Sequence, residues 1–411
     1  MSNKAEKGGL VPKLRFPEFR EAGEWEENLL AKVCNVLQGY GFPDALQGKS
    51  DGKYPFCKVS DISRAVAESG GVLAAAANYV GTEELLKLRA KPVPKGATVF
   101  AKIGEALRLN RRAYVQKECL IDNNATGLKA IDGVADDYFV YLLSQLIDLN
   151  KHCGGAVPSV NKSTLEGIQV AVPGPDEQKR IADCLASLDE LITLEAQKLD
   201  TLKTHKKGLM QQLFPAEGET LPKLRFPEFR DAGEWEVCDI STFAKVTTGG
   251  KDTQNKVDSG IYPFFVRSQT VERINSYSYD GEAVLTSGDG VGVGKNYHYI
   301  KGKFDFHQRV YCIYDFSECV SGLFFYLYFS EHFNKRVMKM SAKNSVDSVR
   351  MPMVTEMPVL LPSLLEQQKI ADCLASLDDL ITAQTQKLAA LKTHKKGLMQ
   401  QLFPALDEAT S

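Results

Sequence analysis

Polar side chains suited to contact nucleic acid occur in short clusters in two stretches of the chain, 27–175 and 237–364. Arginine, asparagine and glutamine can form paired hydrogen bonds with base edges, whereas lysine, serine and backbone amides mostly contact phosphates. Ordinary solvated surface explains any one of these residues, but their occurrence at matching places in both stretches favours a nucleic-acid-binding role. The candidates in the first stretch are Lys58, Ser60, Asp61, Lys102, Arg108, Arg111, Arg112, Asn123, Asn124, Asn161 and Lys162. Those in the second stretch are Arg267, Ser268, Gln269, Lys295, Asn296, Tyr297, His298, His307, Gln308, Arg309, Lys343 and Asn344.

A glycine-rich segment at 287–295 resembles a phosphate-binding loop without matching one. The nucleotide-binding pattern requires Gly, four residues, then Gly-Lys-Ser/Thr. Here Asp289 stands where the first glycine belongs, and Asn296 follows Lys295. The alternating glycines also miss the spacing of a dinucleotide-binding loop. We interpret the segment as a flexible loop whose amides and Lys295 approach a phosphate backbone, with a plain hairpin as the alternative.

Catalytic and metal-binding motifs are missing from the sequence. There is no Asn/Asp-Pro-Pro-aromatic segment of an amino-group methyltransferase and no His-Glu-x-x-His pair. The nine cysteines include no Cys-x-x-Cys pair, so neither a zinc site nor a disulfide framework is indicated. His205 and His394 lie beside lysines at equivalent repeat positions and are interpreted as surface. We therefore predict a binding protein that is not itself an enzyme and that carries no cofactor or metal.

Composition does not indicate a nucleic-acid-binding protein, because the formal net charge is −2. Any binding face must be a local concentration of positive charge. No apolar run approaches the roughly 18 residues of a membrane span. The polar N-terminus has no apolar signal segment, which predicts a cytoplasmic protein without membrane contact.

Two repeated blocks frame the candidate stretches. Segments 11–26 and 221–236 differ at two positions, and segments 176–215 and 365–404 differ at nine. The stretches between them look nearly unrelated. Near-identical frames that hold divergent inserts suggest a two-fold scaffold that presents two different binding surfaces.

The longer repeat has the apolar pattern of a coiled-coil helix. Its apolar residues recur in alternating steps of four and three over about five heptads. Pro175 fits one helix start, Ser363 with Glu366 fits a capping box at the other, and prolines end both segments. The seam is interrupted by Glu195 and Lys206, and in the second copy by Gln384 and Lys395. Such residues either fix the register of packed helices or reach around to solvent, and the sequence leaves both alternatives open.

The inserts share a sparse common pattern in the same order. Segments 54–56, 96–100, 138–142 and 160–173 parallel 262–264, 281–285, 323–327 and 349–362. These segments are mostly β-branched and aromatic, which favours strands. The predicted fold class is mixed α/β (α+β), with two globular domains separated by two long antiparallel coiled-coil helices and an internal pseudo-two-fold duplication. The predicted domains are 27–175 and 237–364. The predicted helices are 176–215 and 365–411, the second with a short tail. The short repeat occupies 1–26 and, together with a linker, 216–236.

The doubled arrangement resembles the DNA-specificity subunit of Type I restriction–modification systems. The resemblance is carried by the Tyr-Pro-Phe opening of each insert and by the closing segments 154–181 and 361–381. It implies two target-recognition domains, each reading one half of a split, asymmetric site in double-stranded DNA. It also implies two methyltransferase subunits docked on the repeats and motor–nuclease subunits added for cleavage. S-adenosylmethionine, and ATP with magnesium, are then expected on those partners.

One departure limits the resemblance. The second insert is shorter by about 21 residues, and its closing segment lacks the Asn161-Lys162 pair. Two other functions remain as alternatives: a coiled-coil adaptor whose inserts bind proteins, and a silent specificity cassette. In the spacer hypothesis, four residues inserted near 193–195 lengthen the unread gap and leave both half-sites unchanged.

Overall fold

The computed structural model describes residues 10–290, 292–340 and 348–404, and it divides into two compact units. The first unit is Met1–Lys198 with Gln384–Ser411, and the second is Leu199–Ala383. Each unit therefore combines one insert with a part of each long helix.

The insert of the first unit is built on a five-stranded sheet and a three-stranded sheet. Their strand orders are β2-β9-β6-β7-β4 and β5-β3-β8, and β3 runs parallel to β8. The strands are β1 (Glu26–Leu29), β2 (Cys34–Gln38), β3 (Tyr54–Cys57), β4 (Val72–Leu73), β5 (Tyr79–Val80), β6 (Thr98–Ala101), β7 (Ala113–Val115), β8 (Leu120–Ile121), β9 (Ala125–Ala130) and β10 (Gln169–Val172). The helices are α1 (Leu30–Val33), α2 (Val59–Glu68), α3 (Thr82–Lys87), α4 (Glu105–Arg108), α5 (Asp137–Leu146), α6 (Lys162–Glu166) and the long α7 (Pro175–Leu213).

The insert of the second unit is built on one six-stranded sheet in the order β12-β17-β15-β16-β13-β14. Its strands are β11 (Glu236–Asp239), β12 (Lys245–Thr248), β13 (Tyr262–Phe265), β14 (Glu272–Ile274), β15 (Tyr279–Ser287), β16 (Tyr297–Phe306), β17 (Val310–Tyr314) and β18 (Pro358–Leu361). Its helices are α8 (Ile240–Phe243), α9 (Gly322–Met340), α10 (Met351–Thr355) and the long α11 (Leu364–Leu402). The mixed α/β class and both long helices are as predicted.

One pair of segments predicted as strands is helical, and the pair at 160–173 and 349–362 contains the short helices α6 and α10 before its strands β10 and β18. Residues 138–142 lie in α5 and residues 323–327 lie in α9. Aromatic content favours a strand, but Asp136 accepts hydrogen bonds from the amides of Tyr138 and Phe139 at 2.8 and 2.9 Å and so starts a helix. Almost every side chain of this run in α5 is buried, so its apolar composition reflects burial on several faces rather than a strand.

Each insert is closed at its base by a two-stranded antiparallel ladder. Glu26 pairs with Val172 in the first unit, and Glu236 pairs with Leu361 in the second. The second strand of each ladder leads directly into a long helix. The ladder therefore fixes the chain direction with which each insert enters its helix.

The long helices run antiparallel in the first unit, as predicted. Lys395 Nζ donates to Asp189 Oδ2 at 2.6 Å, and Gln384 Nε2 donates to Glu195 Oε2 at 2.5 Å. As the residue number rises from 189 to 195 along α7, the residue number of the partner in α11 falls from 395 to 384. In the second unit Lys206 contacts both carboxylate oxygens of Asp378 at 2.6 and 2.7 Å. The polar residues that interrupt the seam thus pair across the helices instead of reaching around to solvent.

In the first unit, the repeated segment holds the start of α7 and the end of α11. Arg15 forms a two-point ion pair with Glu177 in the first turn of α7, at 2.8 and 2.7 Å, and both side chains are less than 10 % exposed. The amide of Leu14 donates to the carbonyl of Gln401 near the end of α11 at 2.9 Å. Trp25 packs edge-on against Phe403. One short segment therefore satisfies polar groups at two helix ends.

The equivalent contacts recur in the second unit. Arg225 forms the same two-point pair with Glu366, and the amide of Leu224 donates to the carbonyl of Gln212. Glu366 lies at the predicted capping box, but only half of the box is present. Ser363 Oγ accepts from the Glu366 amide at 3.4 Å, whereas the Glu366 carboxylate is used by Arg225.

Candidate nucleic-acid interface

In the first unit, four strands end at one edge of the insert. β2 and β6 both run antiparallel to β9, and their last residues pair with residues at its start. β3 and β8 end side by side, and the amide of Asp122 donates to the carbonyl of Cys57 at 3.0 Å. The segments that follow these four strands form what we call the first edge, residues 39–40, 58, 102 and 122–124.

In the second unit, four strands end together in the same way. β13 and β16 end in parallel, and β12 and β15 both end against the start of β17. The segments that follow form the second edge, residues 249–252, 267, 288–289 and 307–309. The amides of His307 and Gln308 donate to the carbonyls of Phe265 and Lys251 at 2.9 and 2.8 Å, which ties segment 307–309 to the end of β13 and to segment 249–252.

A glycine permits the closest backbone approach at each edge. A Cβ atom on Gly39 would lie 1.8 Å from the carbonyl oxygen of Asp122, and one on Gly249 would lie 2.0 Å from that of Phe306. Only a residue without a side chain fits there. The sequence predictions missed both positions, although each glycine is the first residue after the first strand of its sheet.

The first edge brings together Lys58, Lys102, Asn123 and Asn124 from the predicted set. The amide of Lys102 donates to the carbonyl of Asn124 at 2.9 Å, and the carbonyl of Lys102 accepts from Val160, the neighbour of Asn161, at 2.9 Å. Asn123 and Asn124 are exposed, and Lys102 is half-buried. The edge therefore presents two amide side chains beside a lysine.

Several other predicted residues support local structure. Asp61 is buried; it accepts from the amides of Lys58 and Ala77 at 2.8 and 3.0 Å and pairs with Arg64, so it fixes the start of α2. Ser60 is exposed in the first turn of that helix. Asn161 caps α6 by accepting from the Thr164 amide at 2.8 Å. Lys162 follows it and lies 3.5 Å from Glu166.

The arginine cluster at 108–112 is not a set of exposed neighbours. Arg112 is buried, donates to Asn110 Oδ1 and to the carbonyl of Ile147 at 3.1 Å each, and stacks 4.5 Å above the Phe100 ring. Burial lowers the pKa of its guanidinium to about 10. Arg108 is exposed at the end of α4, and Arg111 is half-buried. Arg112 therefore holds the loop after α4 against the core, a position unsuited to base contact.

The second edge concentrates polar side chains more tightly. Arg267 Nη1 donates to Asp289 Oδ1 at 3.0 Å, and Arg309 Nε lies 3.6 Å from Asp289 Oδ2. Gln308 Nε2 donates to Asp252 Oδ2 at 3.1 Å. Asp289 and Asp252 were not among the predicted residues.

The glycine-rich loop is packed against the arginine that it neighbours. Asn296 Nδ2 donates to the carbonyl of Arg267 at 3.0 Å and to Ser287 Oγ at 3.2 Å. A Cβ atom on Gly292 would lie 2.0 Å from that Asn296 nitrogen, so this glycine makes room for the amide. Lys295 is exposed. The residue that follows the loop thus fixes the backbone of Arg267. Neither of the two sequence-based interpretations, a flexible phosphate-contacting loop or a plain hairpin, included this contact.

The remaining predicted residues have mixed environments. Ser268 Oγ donates to the carbonyl of Thr270 at 2.9 Å, and Gln269 is exposed. Tyr297 is buried and donates to the carbonyl of Gly294 at 2.7 Å. His298 Nε2 lies 3.1 Å from the carbonyl of Ser268, so that nitrogen carries the proton. Lys343 and Asn344 lie outside the described residues.

His307 is a buried histidine beneath the second edge. Its Nδ1 accepts from the amide of Arg309 at 2.9 Å, which places the proton on Nε2, 3.9 Å from Asp252. Burial is the main cause that lowers the pKa of His307, and the nearby Arg267 lowers it further. A neutral ring that accepts a backbone hydrogen bond supports the Arg309 main chain.

Within residues 10–290, 292–340 and 348–404, no group of three or more His, Cys, Asp or Glu side chains is placed to hold a metal ion. None of the helices within the described ranges is long and apolar enough to cross a membrane.

The sequence matches the family model described as Type I restriction modification DNA specificity domain, over residues 22–204 and again over 232–393. It is 26 % identical over 323 residues to the Type I restriction enzyme MjaVIII specificity subunit of Methanocaldococcus jannaschii, which covers 71 % of this chain and 75 % of that one. It is 32 % identical over 145 residues to the Type I restriction enzyme EcoDI specificity subunit of Escherichia coli, which covers 35 % and 31 % of the two chains.

The fold is similar to that of two solved structures. The S subunit of a Type I restriction–modification system from M. genitalium matches with a TM-score of 0.66 at 14 % identity, over 97 % of this chain and all of that one. A chain from a structure concerned with complex assembly and conformational transition of the Type I system matches with a TM-score of 0.53 at 16 % identity, over 93 % and 98 % of the two chains. At these identities the likeness concerns the fold.

Proposed function

Since the chain belongs to the Type I restriction–modification DNA specificity family, we propose that it directs its complex to a bipartite, asymmetric DNA target. Each insert reads one half-site through its edge, and the paired long helices set the length of the unread gap. The chain itself contributes recognition and no catalysis.

The observation that carries this proposal is the pair of edges. Both are formed where four strands end beside a close-approach glycine, Gly39 in one and Gly249 in the other. Their side chains differ: the first presents Lys102 and two asparagines, and the second presents Arg267, Gln308 and Arg309. A common frame with different polar groups suits two surfaces that read different base sequences, because base-edge contacts depend on side-chain type.

Charge placement supports DNA as the ligand despite the net charge of −2. Lys58, Lys102, Lys295 and Arg309 supply cations at or beside the two edges. Cationic contacts to phosphates provide most of the affinity for any DNA sequence, while base contacts select among sequences. Among the predicted residues, we propose that those at the two edges and Lys295 contact bases or phosphates. We assign Asp61 and Arg112 to structural support.

The partner surface is supported by the exposed positions of the repeats. Lys203, Thr204, His205 and Lys207 are exposed in the second unit, and their equivalents at 392–394 and 396 are identical in type and exposed in the first. Packing does not constrain exposed side chains, so their identity suggests that both copies bind the same kind of partner. We propose that two methyltransferase subunits dock on the repeats, with motor–nuclease subunits added for cleavage.

Cofactors are assigned to those partners in the same proposal. S-adenosylmethionine belongs to the methyltransferase subunits, and ATP with magnesium belongs to the motor subunits. The side chains of the two edges would then act only by binding, orienting and excluding alternative base pairs.

The test is to co-express the full chain with its methyltransferase and to map methylated bases in genomic DNA. We expect one split, asymmetric motif with a fixed gap. Replacing residues 237–364 with a different second insert of the family should change one half of the motif and leave the other half unchanged. A contiguous or symmetric motif, or a stable complex that methylates no specific sequence, would contradict the proposal.

A further inference from the structure

Asp289 bridges two arginines at the second edge. Its two carboxylate oxygens face Arg267 Nη1 at 3.0 Å and Arg309 Nε at 3.6 Å. The carboxylate is mostly covered, with 24 % of its side chain exposed, whereas Arg267 and Arg309 are 46 % and 65 % exposed. The guanidiniums are therefore held on one side and open to solvent on the other.

The main chains beneath these arginines are also fixed. Asn296 donates to the carbonyl of Arg267, and the amide of Gly288 donates to the carbonyl of Arg309 at 2.7 Å. The amide of Arg309 donates in turn to the buried ring of His307. Hydrogen bonds thus hold both backbone positions and the Arg267 side chain, and the Arg309 side chain is held by its ion pair with Asp289.

This arrangement suits base recognition better than phosphate neutralisation. A phosphate contact needs little more than positive charge, and a neighbouring carboxylate weakens it by repulsion. A base contact needs a guanidinium in a defined orientation, because its N–H donors must meet two acceptors at once. The carboxylate of Asp289 supplies that orientation and leaves the pair with a net positive charge.

The base that fits is guanine. It presents two acceptors in the major groove, O6 and N7, and paired arginine donors are their most frequent specific partner. A carboxylate without an arginine partner would favour the amino group of cytosine instead, but both oxygens of Asp289 already face guanidiniums.

We propose that Arg267 and Arg309 form a guanine-reading pair that Asp289 orients, so that the half-site of the second insert contains guanine. This inference rests on the proposed DNA-specificity function. Asp289 is a positioning residue in it, since it acts through the two arginines.

The experiment uses the purified complex of the full chain with its methyltransferase and a randomised double-stranded DNA library. We expect the wild-type complex to select guanine in the second half-site. Arg267→Lys or Arg309→Lys should lower the preference for guanine at one position by about tenfold or more. Asp289→Asn should lower the guanine preference while the affinity for unselected DNA does not fall, because one negative charge is removed from the edge.

Two further variants make the outcome specific. Asp315→Asn is the matched control, because it removes an exposed carboxylate that pairs with Lys245 on the same sheet, away from the edge; it should leave the motif unchanged. Arg267→Gln separates base from phosphate contact. A phosphate contact would lose affinity equally for all sequences and reduce the salt dependence by about one unit of slope.

A specific motif without guanine in its second half, or guanine preferences unchanged in both Arg→Lys variants, would overturn the inference and leave the proposed function standing. The phosphate behaviour of Arg267→Gln would also overturn it. The Arg→Lys variants keep the charge, so they decide the matter even if Asp289→Asn folds poorly. A wild-type complex without any sequence preference would remove the proposed function itself, and the inference with it.

Discussion

Glu195 and Gln384 stand at the same position of the two 40-residue repeats, and they hydrogen-bond to each other across the helix pair. Gln384 Nε2 donates to the Glu195 carboxylate at 2.5 Å and to its backbone oxygen at 2.9 Å, and Lys387 donates to the same carboxylate. Both side chains are buried. An acid in one copy and an amide in the other satisfies this polar contact, which two acids could not do.

Gln384→Glu should therefore destabilise the helix pair, because it places two carboxylates in contact. Thermal melting should show a loss of several degrees, as a change of 1 kcal/mol moves the midpoint of a domain of this size by roughly 2–4 °C. The exchanged variant Glu195→Gln with Gln384→Glu restores one acid and one amide and should recover most of the loss. Equal melting of the single variant and the wild type would mean that the two side chains do not meet.

Lengthening both long helices should lengthen the unread gap of the target. Four residues add about 6 Å of helix, which corresponds to roughly two base pairs. The insertion is best made between Asp189 and Glu195 in α7 and, opposite it, between Gln384 and Lys395 in α11, because insertion in α7 alone would shift Asp189–Lys395 relative to Glu195–Gln384. Methylation mapping should show a longer gap with both half-sites unchanged. A change in either half-site sequence would contradict the spacer role.

The Arg15–Glu177 pair should contribute substantially to stability. Glu177→Gln removes one partner of a buried, two-point ion pair and should cost about 3 kcal/mol in the free energy of unfolding. Glu18→Gln is the control in the same repeat, since Glu18 forms an exposed pair with Arg180 and should cost less than about 1 kcal/mol. Denaturant unfolding of both variants measures the difference. Equal losses would show that burial of the first pair has no energetic consequence.

Gly39→Ala and Gly249→Ala should distort the backbone of the edge in which each glycine lies. The added methyl group would meet a backbone carbonyl at 1.8 or 2.0 Å, so the chain must shift at a cost of about 1–3 kcal/mol. Gly41→Ala and Gly250→Ala are matched controls for the melting temperature, because nothing lies within 4 Å of their added atoms. Each edge variant should lower melting temperature and weaken specific DNA binding. Controls that are equally harmful would point to a general effect of chain flexibility.

Acidification should destabilise the second unit. Burial lowers the pKa of His298, His307 and His332 below the ordinary value of 6.5. The unfolded chain therefore binds protons more readily than the folded one, and the free energy of unfolding falls as the pH decreases below about 6.5. His332→Phe removes one such group, whose ring stacks on Tyr328, and should reduce the dependence of the unfolding free energy on pH. Unfolding curves at pH 7.5 and 5.5 provide the measurement.

The repeated blocks explain why much of the scaffold could be predicted. A heptad seam and proline-marked ends depend on residues near one another in sequence, and α7 and α11 follow them within a few residues. The strands at 54–56 and 262–264 were also predictable from local composition. The helices at 138–142 and 323–327 were not, because buried aromatic runs look alike in helices and strands until a cap such as Asp136 is recognised.

The candidate site was only partly predictable, because its members meet through strand ends that are distant in sequence. Residue type alone marked Lys102, Asn124, Arg267 and Arg309. It did not reveal that Arg112 is buried and stacks over the Phe100 ring, nor that Asp289 pairs with two arginines.

The sequence by itself determined the duplication, the two long helices and the kinds of polar side chain available in each insert, since these follow from local pattern and composition. The tertiary structure alone decided which of those side chains face outward together. Burial, strand register and backbone contacts such as those at Gly39 and Gly249 act between segments far apart in the chain. For that reason the edges, and the carboxylates that organise them, became visible only once the strands were placed side by side.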